Sequence, residues 1–249
     1  MSGHSKWAQI KRQKGANDAK KGQMFTKLGR ELAVTAREGG PDPEANYRLR
    51  LVIQKAREAN MPMENIDRAI KRAVGGGDGA ALEEISYQGY GPGGSALIVE
   101  VMTDNRNRAA AEVRNAFTRG GGNLGETGCV SWMFQSRGVI DIELDGADPD
   151  EATLIAIDAG AEDVKAEDGE LQVLTEPTEL ENVRRQLEAN KLKITSAESS
   201  MIASAPLDLK ESDALQLLKL IERLEDLDDV QKVWTNVEFS EEVLDKYAG

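Results

Sequence analysis

The sequence predicts an α+β protein: an N-terminal three-helix domain followed by two ferredoxin-like α/β domains, the third inserted into the second. Three observations carry this. Apolar residues recur every three to four positions through residues 18–74. The pattern changes to short strand-like runs after the Gly75-Gly76-Gly77-Asp78-Gly79 linker. Residues 137–205 then read as a complete β-α-β-β-α-β unit that interrupts an incomplete one.

Residues 18–38 form the first predicted helix, with Phe25, Leu28, Leu32 and Ala36 on one face and Gly39-Gly40 as its stop. Asp42-Pro43 reads as an N-cap and first-turn proline for a second helix running to about Asn60. Met61-Pro62-Met63 breaks it, and Ile66, Ala69, Ile70 and Ala73 mark a third helix. Short connections predict that the three pack as a small bundle.

Beyond the linker, Ile85–Tyr90 and Ala96–Thr103 read as strands, Asn107–Arg119 as a helix and Cys129–Phe134 as a further strand. In the next unit Gly138–Leu144 is a strand and Pro149–Ala159 a helix. Glu162–Ala166 and Leu171–Thr175 form a hairpin about Asp168-Gly169, followed by helix Glu179–Asn190 and strand Ile194–Ala205. Helix Ser212–Leu227 and strand Val230–Phe239 then supply what residues 80–134 lack. The expected domains are therefore 1–79, 80–134 with 206–249, and 135–205. A terminal helix and strand packed on the third domain is the alternative topology; insertion is favoured because it covers an otherwise bare sheet face.

Charge is unevenly spread. The 249 residues carry formal charge −13, yet residues 1–74 hold 16 Lys/Arg against 8 Asp/Glu. The other 175 hold 15 against 36. A cationic head on an anionic chain predicts a polyanion-binding module whose remaining faces repel nucleic acid. The head's candidate contacts are Lys6, Lys11, Arg12, Lys14, Lys20, Lys21, Lys27 and Arg30, each able to neutralise one phosphate. Trp7 sits among them, placed either to stack on an unpaired base or to anchor the arm on the bundle. Arg48 and Arg50 on the second helix, and Arg106 and Arg108 after the second strand, are secondary candidates. Their acidic neighbours make solvation or local pairing the alternative role.

Other chemistries find little support. One cysteine, Cys129, excludes an intrachain disulfide framework, and with a single histidine, His4, leaves too few soft ligands for a structural zinc site. A Ser-His-Asp triad would depend on His4 in the arm. Gly89-Tyr90-Gly91-Pro92-Gly93-Gly94 matches G-x-G-x-x-G, but a strand follows it where a phosphate site needs a helix N-terminus, so it reads as a turn. The carboxylates fall on solvated helix faces and turns. No catalytic constellation, cofactor, metal or small-molecule substrate is expected. No run of 18 apolar residues suggests a membrane span, and the basic start has no apolar core like that of a secretory signal. The expected compartment is the cytoplasm.

The stretches GHSKWAQIKRQK, KGQMFTKLGRELAVTAREGG, DPEANYRLR, NMPMENIDRAIKRA, YQGYGPGGSALIVEVMTDNRNR and GGNLGETGCVSWMF, in this order over residues 3–134, resemble the YebC/PmpR family. The family's GHSKW-x-x-I-K start falls on Gly3–Lys11 and its TDNRNR on Thr103–Arg108; Gln13 departs from a basic or histidine position common after Lys11-Arg12. The resemblance implies a cytoplasmic, non-enzymatic, three-domain protein. Members are commonly described as probable transcriptional regulators that bind DNA. Others, including the mitochondrial translational activator of cytochrome c oxidase, act in translation, some by relieving ribosome stalls at proline runs. Three functions therefore stand as expectations: a DNA-binding regulator, a factor bound to rRNA on the ribosome, and a protein-interaction scaffold. Salt-sensitive nucleic-acid binding separates the first two from the third.

Overall fold

The computed structural model describes residues 18–74, 82–167 and 169–248. The Gly75–Gly79 linker and Asp168 fall outside the described residues. Phe134–Ser204 forms one compact unit; the described residues up to 133, together with 205–248, form another.

In the larger unit, helices α1 (Asp18–Gly39), α2 (Tyr47–Glu58) and α3 (Met63–Val74) come first. Their shared core is Leu28, Leu32 and Ala36 from α1, Leu49, Val52, Ile53 and Ala56 from α2, and Met61 and Ile66. These are the apolar positions at helical spacing, removed from water because a helix presents i, i+3, i+4 and i+7 on one side. The start of α2 differs from the sequence expectation. Asp42 closes a turn by accepting the Glu44 amide, and the N-cap is Asn46. Its Oδ1 accepts the Leu49 amide at 3.1 Å while Nδ2 donates to the carbonyls of Thr35 and Gly40 at 2.9 and 2.8 Å. A buried amide can satisfy three backbone groups at once, whereas Asp42 could only accept.

A four-stranded antiparallel sheet follows, in the order β3-β1-β2-β8, from β1 (Glu83–Tyr90), β2 (Ala96–Thr103), β3 (Asn123–Leu124) and β8 (Val230–Thr235). The G-x-G-x-x-G stretch is the β1–β2 connection, with Gly93 and Gly94 at φ 67° and 80°, a region that favours glycine. Helices α4 (Arg106–Arg119) and α7 (Glu211–Glu225) pack with the sheet: Val113, Ala116 and Phe117 of α4 and Leu217, Leu218, Ile221 and Leu224 of α7 share a core with Leu97, Val99, Val101 and Val233. A final helix, α8 (Glu241–Ala248), which the sequence pattern did not predict, adds Val243 and Leu244.

The inserted unit has the order β5-β6-β4-β7, from β4 (Phe134–Glu143), β5 (Asp163–Glu167), β6 (Glu170–Thr175) and β7 (Lys193–Ala203). Helices α5 (Pro149–Asp158) and α6 (Leu180–Ala189) link them. This is the ferredoxin-like order. The discontinuous sheet is a second antiparallel four-stranded layer whose central pair is the β1–β2 hairpin, a short turn keeping those two strands adjacent.

The expected strand Cys129–Phe134 is also corrected. Residues 127–130 are a turn, Ser131–Met133 a single 3-10 turn, and Phe134 opens β4 in the other sheet. The cause is Gln88. Its buried Oε1 accepts the amides of Gly128, Val130 and Ser131 at 3.0–3.2 Å, and three donors converging on one atom curl the chain out of extended geometry.

Candidate nucleic-acid interface

Lys6, Trp7, Lys11, Arg12 and Lys14 lie outside the described residues, and Lys20 falls in the first turn of α1. Lys21 follows it there and is exposed, its ammonium 5.8 Å from the centroid of Phe25. Lys27 and Arg30 belong to a different environment. With Gln23 they form an i, i+4, i+7 row that grips the end of α7. Gln23 donates to the Asp226 carbonyl at 2.6 Å, Lys27 to the Glu225 carbonyl, and Arg30 to the Asp228 carbonyl. The last carbonyls of a helix lack intrahelical partners and carry partial negative charge, so cations and amide donors are suited to that end.

Arg30 also reaches the Asp229 carboxylate at 2.6 Å. Arg108 bonds the same carboxylate at 2.8 Å and Thr103 donates to it at 2.7 Å. Burial would raise the Asp229 pKa, yet the hydrogen bonds from Arg108 and Thr103, with the charges of Arg30 and Arg108, hold it below the ordinary aspartate value. Arg108 further pairs with Asp104 at 2.9 Å. Arg48 lies between Glu38 and Glu84 at 3.1 and 3.2 Å, and Arg50 donates to the carbonyls of Pro43 and Glu44. Arg106 forms no ion pair among the described residues; it is exposed at the start of α4.

A second carboxylate cluster lies on the sheet. Glu100 of β2 stands opposite Lys232 of β8 and Ser86 of β1, and shares a hydrogen bond with Glu84. Burial, the Glu84 hydrogen bond and the charges of Glu84 and Glu31 push Glu100 up to about 7, against the attraction of Lys232. Burial works the same way on Glu84, but its hydrogen bond with Glu100 and the Arg48 guanidinium hold it below its usual value. The signs fix a pH window. A raised folded-state pKa contributes stability below the unfolded value, and that contribution is lost as pH climbs through about 7. The Glu84 contribution is already complete above the ordinary glutamate range. Glu100→Gln is therefore expected to stabilise the protein by about 1–3 kcal/mol near pH 8 and to flatten the loss between about pH 5 and 8 in urea unfolding. An unchanged pH profile would contradict a shared proton.

Trp132 was missed because residues 129–134 read as a strand, which would have turned its ring to a sheet face. It is 72 % exposed. Its indole N–H donates to the Cys129 carbonyl at 3.1 Å, and the Tyr90 hydroxyl donates to the same oxygen at 3.0 Å. One carbonyl thus fixes two partly exposed aromatic rings. The described residues contain no group of three or more side chains suited to a metal ion, and no described helix is long and apolar enough to cross a membrane.

Comparison with known proteins gives matches along nearly the whole chain. Residues 5–76 match the family described as TACO1/YebC protein N-terminal domain, and residues 82–237 the TACO1/YebC second and third domain. A protein of Roseiflexus castenholzii named "Probable transcriptional regulatory protein" is 56% identical over 252 residues, covering 99% of each chain. A protein of the same descriptive name from Dehalococcoides mccartyi is 53% identical over 247 residues, covering 99% of this chain and 98% of its own. The crystal structure of a conserved hypothetical protein from Aquifex aeolicus superimposes with a TM-score of 0.83 at 44% identity, covering 90% of this chain and 93% of that one.

Proposed function

This chain belongs to the TACO1/YebC family, and from that premise we propose that it is a cytoplasmic, non-enzymatic regulator of gene expression that binds nucleic acid through its cationic N-terminal arm, with DNA control regions as its target. The observation that carries this is the partition of charge. Residues 1–74 have a surplus of eight positive charges, while residues 134–204 alone hold 17 Asp/Glu against 6 Lys/Arg. A phosphate polymer meets attraction at the arm and repulsion at the inserted unit, so the arm is the part that holds it. The contacts proposed are Lys6, Lys11, Arg12, Lys14, Lys20 and Lys21 with Trp7, while Lys27 and Arg30 attach α1 to the end of α7 and contribute through position. The relatives' names support regulation of transcription.

Exposed Trp132 favours a second reading, a translation factor on ribosomal RNA, because a fixed aromatic ring suits unpaired bases better than duplex DNA. Sucrose-gradient fractionation of a lysate with and without DNase separates the two. Absence from ribosomal fractions with recovery of promoter fragments supports the first. DNase-resistant co-migration with ribosomes supports the second. Partners that survive every nuclease would replace both with a protein scaffold.

A further inference from the structure

All four Lys/Arg of residues 75–133 fall within the 14 residues of α4: Arg106, Arg108, Arg114 and Arg119. Every one is exposed. At 100° per residue, Arg114 borders one side of the solvent face and Arg108 and Arg119 the other, with Asn107, Ala111, Asn115 and Thr118 between them. Those four are exposed as well, and Glu112, the helix's one carboxylate, is partly buried at the edge of the face. Arg106, exposed in the first turn, falls by the same spacing towards the side of Val113 and Phe117 and so stands at the N-terminal end of this face rather than along it.

This clustering is not needed to hold the fold. The buried side of α4 is Ala109, Val113, Ala116 and Phe117. Of the four arginines only Arg108 has ion-pair partners among the described residues, Asp104 and Asp229. Arg106, Arg114 and Arg119 form no ion pair among the described residues, although residues 75–249 hold 36 Asp/Glu. Planar guanidinium forks along a helix about 21 Å long would track roughly six nucleotide steps, and the small uncharged side chains between the borders let a backbone approach closely.

We infer that the exposed face of α4 is a second nucleic-acid surface, in which Arg106, Arg114 and Arg119 grip the sugar-phosphate backbone of the polymer the arm engages. This rests on the nucleic-acid reading above and adds to it a contact in the α+β domain. The surface reads phosphate, not sequence, so it acts on affinity and orientation.

The test compares the full chain with Arg106→Gln/Arg114→Gln/Arg119→Gln and with the corresponding triple Lys variant, the arm being intact in all three. The probes are a fluorescein-labelled mixed-sequence RNA hairpin and a DNA duplex of the same sequence, titrated over a series of salt concentrations. The Gln variant is expected to lower the slope of log K against log salt by roughly 2–3, at about 0.7–0.9 for each phosphate no longer neutralised, while the Lys variant keeps it. Should the triple Gln variant melt early, single Arg114→Gln and Arg119→Gln changes should each lower the slope by about one. An unchanged slope in a folded Gln variant overturns the second surface while leaving the arm reading in place. A full chain that binds neither probe overturns both. A self-associated full chain that the Gln variant dissociates, with nucleic-acid affinity unchanged, assigns the face to the acidic unit of a second copy and overturns the proposal.

Discussion

Asp229→Ala is expected to lower the unfolding free energy of the larger unit by about 1–3 kcal/mol, because it removes a buried carboxylate that accepts from three partners, two of them charged. The Asp229 side chain is only 5 % exposed and serves Arg30, Arg108 and Thr103 together. Arg30 comes from α1, Arg108 from α4 and Thr103 from β2, so one carboxylate joins the helical bundle to the sheet. Loss of the carboxylate leaves two guanidinium groups without their shared partner and frees α1 at the end where Gln23 and Lys27 also attach. Urea unfolding should show the loss, and hydrogen exchange should show it first in α1. A change under about 1 kcal/mol, the range of a surface pair, would contradict the joint described here. Arg30→Ala should weaken the same joint without lowering the salt slope of nucleic-acid binding, which distinguishes a residue that positions the arm from one that touches phosphate.

Lys11→Glu combined with Arg12→Glu is expected to raise the Kd for RNA or DNA by about 10–100-fold near physiological salt, since each reversal removes a cation that neutralises phosphate and adds repulsion. The melting temperature should not move, because reversing charge in the polar run Lys11-Arg12-Gln13-Lys14 removes no apolar side chain. Fluorescence anisotropy measures the affinity and thermal unfolding the integrity. Affinity unchanged within twofold would remove Lys11 and Arg12 from the nucleic-acid interface.

Helices and hairpins were legible in the sequence because their cause is local. Leu28, Leu32 and Ala36 mark the buried side of α1 by spacing alone, and Gly93-Gly94 mark a turn by their backbone freedom. What depends on distant partners was not legible. The course of residues 127–133 is set by the Gln88 side chain 40 residues earlier in the chain. That strand β8 returns to the first sheet from beyond the inserted unit was legible, because residues 80–134 read as incomplete, but its place beside β2 was not. The candidate site divides the same way. Its positive charge is visible in composition, but Lys27 and Arg30 have their partners near the end of α7, about 200 residues on, and sign alone does not tell a phosphate contact from a helix cap. The α4 arginines were half seen: Arg106 and Arg108 stood out beside a turn, whereas Arg114 and Arg119 needed the helix to be folded before their shared face was apparent.

Salt titration of nucleic-acid binding by the chain lacking residues 2–17, set beside the full chain, tests the charge-partition account most directly. The predicted result is a large loss of affinity, with the salt slope lowered by roughly 3–4 for the loss of Lys6, Lys11, Arg12 and Lys14, leaving what Lys20, Lys21 and the α4 arginines supply. Affinity and slope equal to those of the full chain would contradict it.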